Sequence, residues 1–163
     1  MTYVLFNSLA NNHKGEENSR KALEGKISSD SVFEDLTKIV DLKKYLEEKS
    51  IEDKVILTGG DGTLNHFVNE IGNLDIKCEI DYCPSGSGND FYTDVANFED
   101  SRAVRINEFI KDLPIVTVKG KDYRFINGVG FGIDGYCCEK GDEIQRTSTK
   151  NVLIMLLLPL KEC

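Results

Sequence analysis

Between Thr58 and Asn65 the chain reads Thr-Gly-Gly-Asp-Gly-Thr-Leu-Asn, three glycines and an aspartate set where an apolar run gives way to a helical one. Glycine lets a backbone approach a ligand closely and reach positive φ angles. Free N–H groups and the positive end of a helix dipole then favour a phosphate at that point. Asp61 is at odds with an anion unless it holds a cation or orients a water, and Mg²⁺ carried with a nucleotide reconciles the two. The structural alternative is a plain Gly-Asp-Gly turn capping a helix. A second run, Pro84-Ser85-Gly86-Ser87-Gly88-Asn89-Asp90-Phe91, also follows an apolar stretch. Ser87 and Asn89 offer donors to phosphate oxygens, and Asp90 suits a metal or a hydroxyl; the alternative is a flexible Gly-Ser linker. Neither run is a Walker A loop, and the H-R-D and D-F-G elements of protein kinases are missing.

The elements that would position these runs are legible from periodicity. Thr2 to Phe6 reads as a buried strand, followed by a polar loop from Ser8 to Gly15 and a helix from Glu16 to Lys26. Ser31 to Ile39 is expected as a strand. Asp41 would cap a helix carrying Leu42, Tyr45 and Leu46. Lys54 to Thr58 is a strand that runs into Gly59-Gly60. Leu64, Phe67, Val68 and Ile71 then form one helical stripe. Glu79 to Cys83 is the strand before the second loop, and a helix from about Arg102 is expected to bury Ile106, Phe109, Ile110 and Leu113. Strand–helix alternation implies an α/β fold, a mostly parallel Rossmann-like sheet with helices on both faces. Both loops would then emerge at the carboxyl ends of strands, where such sheets bind ligands. Pro114–Val118 and Tyr123–Asn127 read as a hairpin turned at Lys119–Asp122. The expected division is therefore a nucleotide-binding domain over 1–112 and the beginning of a β-rich second lobe over 113–163.

Composition limits the partners. The 163 residues carry 20 Lys plus Arg against 28 Asp plus Glu, a net charge of −8. That argues against nucleic acid, whose binding rests on a basic face, and against electrostatic docking on anionic lipid. The first residues do not read as a signal peptide, and the apolar run Val152–Leu160 is far short of the about 20 residues a membrane span needs. Five cysteines (78, 83, 137, 138 and 163) form no C-x-x-C. An odd count without a secretory signal reads as reduced thiols and a cytoplasmic location.

GGDGTLNHFVN at 59–69 together with PSGSGNDF at 84–91 resembles the diacylglycerol kinase catalytic domain, a family that includes bacterial lipid kinases and sphingosine kinases and is distantly related to NAD kinases. The resemblance extends over roughly residues 2–150. It implies ATP and Mg²⁺ as cofactors and transfer of the γ-phosphoryl group to a lipid alcohol such as diacylglycerol, with transient contact at a membrane surface. It carries nucleotide contacts onto Asn7 and its loop, Thr37, Gly59, Gly60, Asp61, Gly62, Thr63, Ser87, Gly88 and Asn89. Asp61 and Asp90 become the catalytic and metal-organising carboxylates. Asn127-Gly128-x-Gly130-x-Gly132 and Asp134 match the stretch where the family's second lobe begins, with Asp134 either lining the cleft or structural.

The departures carry expectations of their own. Ser8 and Asn11 stand in a loop where the family has proline and glycine, and His66 stands where an acid is usual. His66 and Glu70, at i and i+4, are expected as a solvated pair. The D-G-E-type acidic motif of the second lobe is missing, and the sequence after Lys150 turns to VLIMLLLPLKEC. This reads as an early end to the lobe and an impaired kinase that still binds Mg·ATP. Two alternatives stand beside it: an NAD kinase-type phosphotransferase, and a non-catalytic nucleotide-binding remnant whose apolar tail drives homo-oligomerisation.

Overall fold

The computed structural model describes residues 1–86, 88–96, 103–130, 132, 135, 136 and 140. Ser87, Arg102, Asp134 and the apolar run 152–160 therefore lie outside the described residues. The chain divides into two units, Met1–Asn127 and Gly128–Cys163. In the second, the Tyr136 N–H donates to the Gly132 carbonyl (3.0 Å) and Lys140 lies over the Tyr136 ring.

The first unit is a five-stranded sheet in the order β2-β1-β3-β4-β5. Its strands are β1 (Thr2–Phe6), β2 (Val32–Asp35), β3 (Lys54–Gly59), β4 (Glu79–Pro84) and β5 (Val104–Arg105). The first four run parallel and β5 is antiparallel to β4. Lys54-Val-Ile-Leu-Thr-Gly59 holds the centre, where a strand covered on both faces must be apolar almost throughout. One face of the sheet sends Leu5, Val55, Leu57, Ile80 and Tyr82 into the larger core cluster. The other sends Val4, Ile56 and Cys83 against Ala22 and Leu23 of α2 (Gly15–Leu23). Helices thus cover both faces, as the alternation implied.

The larger cluster is closed by α3 (Leu42–Glu47), α4 (Asp61–Ile71), α5 (Asp90–Val95) and α6 (Asn107–Lys111). Asp41 caps α3 by accepting from the Lys44 N–H at 3.0 Å. Helix α4 buries Thr63, Leu64, Phe67, Val68 and Ile71, and it stops at Gly72, whose φ of 59° turns the chain out of the helix. Burying each large aliphatic or aromatic side chain of that stripe contributes about 1.5–3 kcal/mol, so α4 is anchored by its packed face.

Three expectations are corrected. The strand expected over 31–39 ends at Asp35 and gives way to a 3₁₀ turn over Leu36–Lys38, because the Asp35 carboxylate draws in the Thr37 N–H. The helix expected from about Arg102 begins only at Asn107, and Val104–Arg105 instead pair with β4. Starting there, α6 buries Ile110 and leaves Phe109 47% exposed, its ring edge-on to Phe91. The hairpin is β6 (Ile115–Val118) and β7 (Lys121–Arg124), turned by two residues rather than four. Lys119 and Gly120 both take positive φ (51° and 76°), the twist that suits a two-residue hairpin, which draws Lys121 and Asp122 into the strand. This hairpin belongs to the first unit, which runs on to Asn127. Among the described residues no helix is long and apolar enough to cross a membrane.

Candidate functional site

The β1, β2, β3 and β4 ends that share one edge of the sheet deliver four loops, and polar contacts chain those loops together. At the end of β2, Thr37 meets Ser8, hydroxyl to hydroxyl at 3.3 Å. Both are held by Asp35, which accepts from the Ser8 N–H (3.3 Å), the Thr37 N–H (3.1 Å) and the Thr37 hydroxyl (2.8 Å). Burial pushes the Asp35 carboxyl up, but the Ser8 and Thr37 hydrogen bonds outweigh it and bring its pKa down to about 2. Asn7, half-buried at the end of β1, accepts the Leu9 N–H through its side chain at 2.9 Å. The chain then passes through α1 (Ala10–His13), a single turn in which Asn11, Asn12 and His13 are left-handed, with φ of 53°, 56° and 65°. From that turn the Asn11 amide donates to the Ser85 carbonyl at 3.0 Å, tying the first loop to the fourth.

The two glycine runs meet backbone to backbone. The Gly59 carbonyl accepts the Ser85 N–H (2.8 Å) and the Tyr82 hydroxyl (3.0 Å). A Cβ on Gly86 would stand 2.6 Å from the Gly60 Cα, so a side chain there would force the loops apart. Asn89, itself left-handed (φ 62°), closes the second run on itself: its Oδ1 accepts the Gly86 N–H (3.2 Å) and its Nδ2 donates to the Gly86 carbonyl (2.8 Å). Asp61 supplies two further bonds between the loops. Its Oδ2 accepts from the Asp90 N–H at 3.0 Å and its Oδ1 from the Phe91 N–H at 3.1 Å, so one carboxylate caps the start of α5. Gly88 sits beside it, a Cβ there being 3.5 Å from Asp61 Oδ2.

What this arrangement leaves open is the first turn of α4. Thr63 and Leu64 donate back to the Gly60 carbonyl (3.0 and 3.2 Å). The N–H groups of Asp61 and Gly62 have no acceptor among the described residues. Gly62 is exposed and helical, with nothing within 4 Å of a Cβ built on it. Thr63 is buried at 7% exposure just behind. The Asp90 carboxylate is exposed and bonds to no described residue. Asn7, Thr37, Gly59, Gly60, Asp61, Gly62, Thr63, Gly88, Asn89 and Asp90 therefore lie on the four loops at this edge, and Ser87 is outside the described residues.

For a metal, the donor set is sparse. No cluster of three His, Cys, Asp or Glu side chains that could cage an ion occurs among the described residues. Asp61 keeps a lone pair on each oxygen and the Asp90 carboxylate is unpaired among the described residues, which suits a hydrated Mg²⁺ shared with phosphates and does not suit an all-protein site. His66 and Glu70 are both exposed on the outer side of α4, and no hydrogen bond or ion pair joins them. An open cleft of about 520 Å³ lies at the other end of α4, lined by Ile71, Leu74, Ile76 and Ile110 among others, away from the glycine turns.

Sequence reasoning missed Asp35, whose D-x-T spacing at a strand end is an Asx-type cap that was readable in principle. It also treated Asn11 as a departure without assigning it a partner. The signal for Asn11 was absent, since Ser85 is 74 residues away.

No curated relative and no solved structure matches the chain. Residues 1–115 match the family model described as the diacylglycerol kinase catalytic domain, a span that ends at the first residue of β6 and so does not reach Asn127–Gly132. With the sheet order, the paired glycine loops and a match over most of its length, the chain belongs to the diacylglycerol kinase catalytic domain family.

Proposed function

We propose that this chain binds Mg·ATP with the triphosphate on the first turn of α4, and that the reaction it serves is transfer of the γ-phosphoryl group to a lipid hydroxyl of the diacylglycerol type. The observation that carries the reading is Gly62. Glycine is a poorer helix former than alanine, by up to about 1 kcal/mol in a helix interior, and Gly62 is the second residue of α4. Neither a positive φ nor a crowding neighbour among the described residues asks for glycine there, whereas a phosphate lying close against the backbone would. The unbonded N–H groups of Asp61 and Gly62 would be its donors, aided by the dipole of an eleven-residue helix.

The chain's own groups divide the work. Asn89 and the Gly60–Gly86 contact hold the loop walls, so the donors are oriented before ligand arrives. Asp61 spends one lone pair per oxygen on α5 and has the others for water on Mg²⁺. Asp90, at the start of α5, is the exposed carboxylate beside it. The ion, held by these two and the phosphates, would neutralise charge between the β- and γ-oxygens. Thr37 and Asn7 stand at the outer end of the chain of loops, where the nucleoside would lie.

Calorimetric titration of Mg·ATP into the native chain and Gly62→Ala tests this. The substitution should leave the melting temperature unchanged or raise it, since alanine favours the helix, while weakening Mg·ATP binding at least tenfold. Equal affinity in the two proteins would remove the reason for the glycine and the reading with it.

A further inference from the structure

Helix α4 has a second polar junction, eight residues on from Asp61. The Asn69 side chain accepts the Arg124 N–H through Oδ1 at 2.8 Å and donates through Nδ2 to the Arg124 carbonyl at 2.8 Å. One carboxamide thus pairs with both backbone groups of a single residue on the edge of β7, as a neighbouring strand would. One turn further, Asn73 accepts from the Arg124 guanidinium. Among the described residues, the hairpin that Arg124 ends has little else to hold it. Ile115 is 52%, Val118 44% and Tyr123 45% exposed, and an isolated two-stranded hairpin is marginal in water. Its bonded partner element among those described is α4, through β7.

We propose that Asn69 is a positioning residue: its carboxamide acts as the surrogate neighbour strand of β7, and this clamp fixes the hairpin, and the course of the chain to Asn127, on the helix that begins at the glycine turn. The role demands a group that donates and accepts at once. Aspartate at 69 keeps the shape and the acceptor but sets a second acceptor against the Arg124 carbonyl. Leucine removes both bonds, and with them the Asn69 Nδ2 bond to the Asn65 carbonyl within α4 (2.8 Å). The inference stands on the hairpin geometry and goes beyond the nucleotide reading.

Amide hydrogen exchange at pH 7 without nucleotide, on the full chain and on Asn69→Leu and Asn69→Asp, tests the clamp whatever the chain binds. In Asn69→Leu the Arg124 amide should lose at least tenfold in protection, and Phe125, whose N–H donates to the Pro114 carbonyl, should fall with it. Leu5, Val55 and Leu57 in the central sheet should stay within about twofold of native. In Asn69→Asp the loss at Phe125 should persist although the side chain is isosteric. Native protection at Arg124 and Phe125 in both variants would overturn the proposal. So would a fall of the same factor in hairpin and sheet, which would make Asn69 an ordinary stability residue, or full protection of Phe125 in Asn69→Asp, which would make the donor irrelevant.

Discussion

The two ends of α4 do similar mechanical work with different groups. At its start the Asp61 carboxylate takes two N–H groups at the beginning of α5, a place that offers only donors. Toward its end the Asn69 carboxamide takes an N–H and a carbonyl from a strand edge, a place that offers one of each. The residue type at each end follows from what the partner backbone leaves unpaired. The ends also differ in what remains. Beyond Asp61 two N–H groups lack acceptors among the described residues, whereas at Asn69 both backbone groups of Arg124 are paired, and Asn73 takes one guanidinium N–H. An end with spare backbone donors is a place for an anion; an end whose partner backbone is fully paired is a joint.

Exchanging the chemistry at the first end should give the largest effect. Asp61→Asn keeps one acceptor but turns an amide toward the second N–H, leaving a donor facing a donor. Urea denaturation should show a loss of about 1–3 kcal/mol, and Mg·ATP binding should weaken at least tenfold as the second loop loses its anchor. A variant as stable as the native chain would erase the distinction between the two ends. A smaller, pH-dependent effect is expected at Asp35. Its folded pKa lies near 2, below the unfolded value of about 4, so its stabilisation is present above pH 4 and is lost as pH falls toward 2. Asp35→Asn should therefore melt roughly 3–5 °C below native at pH 7, and the gap should close between about pH 4 and 2. A gap that stayed constant down to pH 2 would mean that the carboxylate's charge is not what holds Ser8 and Thr37.

Local pattern carried most of this into view before any coordinates. The strand Lys54–Thr58, the α4 stripe and the two glycine runs announce themselves because backbone period and side-chain period coincide there. The loops fell at one edge of the sheet because parallel topology leaves no other place for them. What escaped was either short or long-range. Val104–Arg105 is too brief to show alternation, and Ile106 and Ile110 keep helical spacing even though the helix starts at Asn107. The Lys119-Gly120 turn lacks the Asn-Gly signature, so its strands were placed two residues late on one side. The amide pairings of Asn69 and Asn107 share one logic. Asn107 brackets β4 by accepting the Ile80 N–H and donating to the Cys78 carbonyl, at 2.8 and 3.0 Å. Partners 27, 29 and 55 residues distant leave no trace in spacing. Glycine had a double meaning that only packing resolves: Gly86 is demanded by the Gly60 backbone, and Gly62 by nothing among the described residues.

The direct test of the central claim is amide NMR of the native chain during a Mg·ATP titration. Saturable shifts are expected at Asp61 and Gly62, with Gly86 and Asn89 following as the loop walls adjust, and an Arg124 amide that holds its position. Shifts confined to the cleft residues 71–76, or an unmoved Gly62 amide at saturating nucleotide, would contradict it.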